Sequence, residues 1–268
     1  MKSSIVSLVT NNHPQIFNNQ NISIPKSNVC NVLEVLSHLH NSDLVVFPGW
    51  TLSSKSDLDY VIKNTGFTNT FVLEVGFGYN DRNITHSETG FYVVQNKEII
   101  KEKVKQIFMD RKSANKDSIK LFLKTFKENR MFEVKGVNIS LIICGENSIL
   151  RNKQSNCNMA LFAIDDDALR NDFDSILKHT HVFINPAHTP VGNGGKMRQR
   201  RNYLSGKSRK YLFTTNEFVK ANGNPRSNKA NLKSLQYISN NGEDINISNN
   251  ILYNNQMYII RSCDTATN

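Results

Sequence analysis

Apolar positions along this chain follow two periods, and the switches between them lay out its elements. Ile5–Thr10 is a short apolar run and predicts a strand. Val29, Val32, Leu33, Leu36 and Leu39 recur at helical spacing and predict a helix over Val29–Leu39. Asp43–Pro48 predicts a strand stopped by proline, Leu58–Asn64 a helix, and Thr70–Phe77 a buried strand. Phe91–Gln95 and Ile99–Phe108 read as strands joined by the turn Asn96-Lys97-Glu98. Ser118–Glu128 predicts a helix, and Phe132–Val134 with Val137–Ile143 a hairpin through Lys135-Gly136. Two helix-then-strand pairs follow: Ala168–Lys178 with His181–Asn185, and Met197–Leu204 with Tyr211–Thr215. Leu235–Ser239 and Gln256–Ser262 are extended. There is no internal repeat, and the polar stretch Asn222–Lys233 is too short to separate domains. Strands interleaved with helices over residues 1–268 predict one α/β domain with sheets inside and helices outside.

The strand over Val137–Ile143 carries the sharpest chemical signal. It ends on Cys144, and Gly145 and Glu146 follow at once. A strand fixes its last side chain with little slack, and a tight turn behind it leaves that side chain facing a cleft. Cysteine is the most reactive nucleophile among uncharged side chains near neutral pH. A buried structural cysteine is the plainer reading of the same residue.

Composition narrows the classes. No apolar run is long enough to span a bilayer, and the N-terminus turns polar too soon for a secretory signal. Cys30, Cys144, Cys157 and Cys263 form neither a CxxC pair nor a metal-binding spacing, which predicts a reducing, cytoplasmic setting and no bound metal. The net charge is +10, concentrated between Lys196 and Lys210. That segment reads as a solvated helix face in preference to a nucleic-acid patch, because no nucleic-acid motif accompanies it.

The order of the pieces resembles the nitrilase, or carbon–nitrogen hydrolase, superfamily over nearly the full length. Asp43–Pro48 is similar to the family's strand ending in Pro-Glu, and Glu98–Phe108 to its lysine-bearing segment. Leu141–Asn147 is similar to its nucleophile elbow, and His181–Ala187 to its later strand ending in Asn-Pro. The resemblance implies a four-layer α-β-β-α sandwich, usually dimeric, with a Glu-Lys-Cys triad and no metal or organic cofactor. It makes Cys144 the nucleophile toward a small-molecule amide or nitrile. Lys105 becomes the electrostatic stabiliser of the tetrahedral species, with Lys103 as the fallback. The cysteine would carry a thioester that water then hydrolyses.

One position departs from the family. Gly49 follows Pro48 where the family has its general-base glutamate, and glycine cannot accept a proton. Glu74, a carboxylate inside an otherwise apolar strand, is the substitute the sequence offers; a structural ion pair with an Arg or Lys is the plainer account of it. Four residues are assigned to the walls of a substrate pocket: Gly49, Trp50, Glu146 and His188. Glu146 equally suits a surface position at the elbow, Trp50 the core, and His188 a loop without a role. Gly192-Asn193-Gly194-Gly195 lacks the context of a phosphate loop and reads as a flexible loop near the site. The leading expectation is a C–N hydrolase acting through Cys144. The rival is a catalytically silent protein of the same fold that binds a small molecule or a partner, which Gly49 favours.

Overall fold

The computed structural model describes residues 1–10, 26–76, 88–152, 160–188, 194–218, 235–245, 251–253 and 258–265. In chain order its first half comprises β1 (Lys2–Thr10), α1 (Lys26–His38), β2 (Leu44–Val46), α2 (Lys55–Asn64), β3 (Thr70–Val75), β4 (Gly90–Gln95), β5 (Glu98–Val104), α3 (Lys116–Thr125), β6 (Met131–Val134) and β7 (Val137–Leu141). The second half comprises β8 (Leu150–Asn152), β9 (Ala160–Phe162), α4 (Asp167–His179), β10 (Val182–Pro186), α5 (Gly194–Leu204), β11 (Lys210–Thr214), β12 (Glu217–Phe218), β13 (Gln236–Asn240), β14 (Glu243–Asp244), β15 (Ile251–Tyr253) and β16 (Tyr258–Asp264).

These strands form two large sheets. One runs β15-β16-β1-β2-β3-β4-β5, with β12 also pairing β1; the other runs β14-β13-β11-β10-β7-β6. At the centre of each the strands are parallel: β1, β2 and β3 in the first, β7, β10 and β11 in the second. Parallel strands buried on both faces read as continuous apolar runs, which is what Leu44–Val46 and Val182–Ile184 are. Their shared interface is a dry layer in which Ile5, Val46, Val72 and Val93 meet Ile139, Leu141, Ile184 and Leu212. The outer face of the first sheet packs under α1 and α2 through residues such as Val32, Leu36, Leu58 and Phe71. The outer face of the second packs under α3 and α4 through Phe122, Phe126, Phe173 and Phe183. The result is the four-layer α-β-β-α sandwich.

Polar bonds also join the sheets where β1 meets β11. Ser7 and Thr214 share a hydroxyl hydrogen bond of 3.0 Å, and the Gln236 amide donates to the carbonyls of Ile5 (3.2 Å) and Ile259 (3.0 Å). Local turn chemistry sets the hairpins. Lys135 and Gly136 both lie at positive φ (49° and 76°), the two-residue turn that matches strand twist, and Asn96 and Lys97 do the same at 51° and 64°.

Several elements differ from the sequence expectation. Helix α1 stops at His38, and Leu39 stands 73 % exposed. Strand β5 ends at Val104, not Phe108, because the backbone beyond it is held by side chains: Arg130 donates to the Lys105 carbonyl, and the Ile107 N–H donates to Glu146 (2.7 Å). Helix α3 runs only to Thr125. A π-turn over Phe126–Arg130 then swings Arg130 inward. The basic segment is not a solvated face, which corrects that expectation. Arg201 is 3 % exposed, lies over the Tyr237 ring and pairs with Asp244. Arg209 is buried and caps the end of α5 by donating to the Leu204 and Tyr203 carbonyls. Arg198 and Lys207 remain exposed. Phe77, Cys157, Gly192-Asn193, Asn222–Lys233 and Gln256-Met257 lie outside the described residues.

Candidate active site

The carboxyl ends of β2, β3, β7 and β10 converge, and each delivers one of the singled-out residues. Beyond β7, Ile142 still pairs with the neighbouring strand by donating to Ile184 (2.9 Å). The chain then turns into a 3-10 helix over Cys144–Ile149. Cys144 opens that helix at φ 45°, a left-handed conformation that a non-glycine residue adopts at a cost. Its carbonyl is held by the Asn185 amide at 3.2 Å. Gly145 is required by its neighbour: a Cβ there would come within 1.7 Å of the Met109 carbonyl oxygen.

Glu146 locks this turn from beneath. It is 0 % exposed, and its carboxylate accepts from the Ile143 N–H (2.8 Å), the Ile107 N–H (2.7 Å) and both terminal nitrogens of Arg130 (2.6 and 3.0 Å). Burial pushes its pKa up, against the pull of Arg130 and the two backbone N–H groups. Glu146 thus faces inward, away from solvent, and couples the nucleophile turn to the segment after β5.

Pro48 and Gly49 follow β2. The Gly49 N–H donates to the Ala187 carbonyl (3.0 Å), and its carbonyl accepts from Asn216 (3.2 Å). A Cβ at Gly49 would stand 2.4 Å from His188 Cδ2 and 3.0 Å from Nε2. The imidazole therefore fills the space into which a side chain at position 49 would project. His188 reaches there from the end of β10, and its Nε2 lies 2.8 and 3.0 Å from the two carboxylate oxygens of Glu74. Glu74, near the end of β3, also accepts from the Trp50 N–H at 2.6 Å. Its partner is a histidine rather than an Arg or Lys.

The His188 ring is only 15 % exposed; it is hydrogen-bonded to Glu74 and lies close enough to Cys144 for the sulfur to favour charge on the ring. Trp50, itself at φ 57°, lies against the imidazole with ring centroids 4.8 Å apart, and Phe91 stands 6.3 Å away. Burial works against charge on this ring. The Glu74 carboxylate, its hydrogen bond to the ring and the nearby Cys144 sulfur outweigh it and hold the pKa at about 10.

The structure therefore brings Cys144, His188, Glu74, Gly49 and Trp50 together. Lys105 is exposed. It lies just past β5, and its carbonyl reaches the nucleophile turn through Arg130 and Glu146. Lys103 is exposed at φ 54°, in a bulge where a Cβ on Gly90 would press on its backbone at 2.7 Å. Sequence reasoning missed Arg130, and also Arg200, whose Nη1 donates to Asn147 (3.3 Å) and Ser148 (2.9 Å) in the turn after Cys144. A lone arginine in a helix gives no signal of the strand end it will reach. Among the described residues no group of three or more His, Cys, Asp or Glu is placed to hold a metal ion, and no helix is long and apolar enough to cross a membrane.

Gly49→Ala follows as a direct test of this packing. The added methyl should push the His188 ring from its seat and slow alkylation of Cys144 by iodoacetamide by about tenfold. Peptide mapping measures the rate, and circular dichroism checks that the fold survives.

No protein-family model matches this sequence, and no curated protein matches it. Solved structures do. The fold is similar to that of an amidase from Nesterenkonia sp., with a TM-score of 0.51, 8 % identity and coverage of 99 % of this chain and 90 % of that one. A mutant of the amidase from Nesterenkonia sp. AN1, described as belonging to the nitrilase superfamily, matches with a TM-score of 0.52, 7 % identity and coverage of 98 % and 90 %. A glutamine-dependent NAD(+) synthetase from Cytophaga hutchinsonii matches with a TM-score of 0.53 and 13 % identity; the match covers 98 % of this chain and 42 % of that one. The architecture is thus that of nitrilase-superfamily amidases, at sequence identities that speak to fold alone.

Proposed function

We propose that this protein hydrolyses the C–N bond of a small amide through a Cys144 thioester, with His188 as the proton carrier. The observation that carries the reading is the His188 imidazole: near Cys144, held by Glu74, and occupying the room left by Gly49. The structural neighbours add weight, since one amidase variant among them is described with an acetamide moiety attached at its active-site cysteine.

In this proposal Cys144 gives its proton to His188, whose imidazolium form the Glu74 carboxylate stabilises. The sulfur attacks the amide carbon, and the carbonyl electrons move to oxygen. Collapse breaks the C–N bond, and the imidazolium gives its proton to the leaving nitrogen, releasing ammonia or an amine. Neutral His188 then takes a proton from water as that water attacks the thioester, and the acid leaves with the sulfur regenerated. Glu74 touches no reacting atom; it is a positioning residue that fixes the ring and its charge. Lys105 retains the role of oxyanion stabiliser in this proposal, alongside the N–H of Gly145.

Intact-mass spectrometry tests the reading. A protein incubated with an activated acyl ester is expected to gain one acyl group, mapped to Cys144 and absent from Cys144→Ala. In the same preparation Cys144 should outpace Cys30 and Cys263 toward iodoacetamide, because both of those thiols are raised by burial, Cys263 to about 12. Equal labelling of the three, with no acyl adduct, would sink the proposal.

A further inference from the structure

We infer that the amide cleaved at Cys144 also carries a carboxylate, and that Arg200 with Arg111 receives it. The inference rests on the hydrolase reading above and adds the substrate's charge.

Arg200 is a cation without an anionic partner among the described residues. Arg200 lies on the inner side of α5 and is largely removed from water. Its Nη1 is engaged by two neutral acceptors, Asn147 Oδ1 and Ser148 Oγ, and its Nε is buried with no partner. Among the described residues it makes no ion pair, and its Nη2 has no hydrogen-bond partner and is not buried. All but two of the 23 Asp and Glu side chains are described; the exceptions are Asp81 and Glu217. The other guanidiniums on inward-facing sites are provided for. Arg130 has Glu146, Arg201 has Asp244, Arg209 has two helix-end carbonyls, and Arg261 donates to the Gln236 carbonyl (3.4 Å).

Its surroundings increase the electrostatic cost. Burial opposes the charge on Arg200, Tyr211 favours it, and Arg111 opposes it again. The exposed Arg111 adds positive charge near Arg200, which an arriving anion would offset. Asp110, next in sequence to Arg111, is turned toward its own loop, where it accepts from the Ser113 N–H (2.9 Å) and hydroxyl (2.8 Å).

The place is equally informative. Asn147 and Ser148 are the third and fourth residues after Cys144 in the same 3-10 turn. The loop bearing Arg111 lies on that turn, with the Met109 carbonyl against Gly145. An anion on this pair would sit beside the reacting sulfur. The free Nη2 can donate a charge-assisted hydrogen bond to a carboxylate oxygen, while Nη1 stays on Asn147 and Ser148.

Two alkylating reagents of nearly equal size read this out. Iodoacetate carries the carboxylate, and iodoacetamide does not. The ratio of their rates at Cys144, normalised to the ratio for N-acetylcysteine, is expected to favour iodoacetate by about tenfold, as a charge-assisted hydrogen bond allows. Arg200→Gln should erase that preference, and Arg111→Gln, at an exposed site without hydrogen bonds to lose, should reduce it. A purely structural Arg200 would slow both reagents together, so a ratio unchanged in both variants overturns the inference. A second arm does not depend on Cys144 reacting. Malonate should raise the melting temperature of wild type, with no rise in Arg200→Gln. No rise in wild type overturns the inference, and stabilisation by phosphate but not malonate overturns the carboxylate assignment. Inertness of Cys144 to both reagents, with the malonate effect intact, would remove the hydrolase reading and leave the anion site standing.

Discussion

His188→Ala is expected to lower turnover of an amide substrate by about 10²–10⁴-fold, the usual range for losing a positioned acid–base group. The substitution removes the group that protonates the leaving nitrogen and the group that activates water, so both half-reactions slow. Glu74→Gln keeps the shape of the pair but removes the carboxylate that supports the imidazolium. Its effect should be smaller and should move with pH. In the wild type the ring stays protonated until pH approaches about 10, so acylation should hold up to there and then fall. Without the Glu74 charge, that alkaline limb should shift to lower pH. A merely structural Glu74 would lower the rate without moving the limb. The same linkage acts on stability. The folded pKa lies above the ordinary 6.5, so the contribution is present in full below about pH 6.5 and is lost as pH rises through about 10. Chemical denaturation across that window should show stability falling toward alkaline pH in wild type and less so in His188→Ala. Unaltered turnover in His188→Ala would overturn its role.

The sandwich is legible because its central strands are parallel and buried on both faces. Runs such as Leu44–Val46 and Val182–Ile184 have no polar face to confuse the period, and helices α1 and α4 carry clear apolar stripes. Strand ends beyond regular pairing were less legible. Nothing local announces that the N–H of Ile107 will be satisfied by a carboxylate 39 residues away, so β5 was drawn too long. Basic residues near α5 misled for the same reason. A sequence shows their charge, whereas Arg201 and Arg209 are fixed by an aromatic ring, an acid and carbonyls brought in by the fold. Gly49 is the instructive case. In sequence it is a missing base. In the fold it is a condition for His188, because a side chain on residue 49 and the imidazole cannot share the same space. Glu74 and His188 are 114 residues apart and meet only once β3 and β10 bring their carboxyl ends together.

Removing either member of the buried Arg130–Glu146 pair is expected to cost about 3–5 kcal/mol, because the survivor is left as an uncompensated buried charge. For a chain of this size that corresponds to a fall in melting temperature of roughly 6–20 °C. The two single variants should differ in kind. Arg130→Ala strands the Glu146 carboxylate, but its two backbone donors, Ile143 and Ile107, stay bonded. Glu146→Ala strands the Arg130 guanidinium and both backbone donors, each of which costs about 1–3 kcal/mol when buried without a partner. Glu146→Ala should therefore be the worse of the two. Glu146→Gln, which keeps an acceptor for one of those N–H groups, should recover part of the difference. The double replacement Arg130→Met with Glu146→Leu removes both charges, so it should cost less than Glu146→Ala while still leaving the two N–H groups unpaired. Those N–H groups belong to the residue before Cys144 and to the segment after Lys105, so the damage reaches the site. In Glu146→Gln, if it folds, Cys144 should lose its selectivity toward iodoacetamide over Cys30, since the turn that aims the sulfur is no longer held from below. Glu146→Ala as stable as wild type by calorimetry would mean that the pair does not carry the turn, and the geometry at Cys144 would need another support.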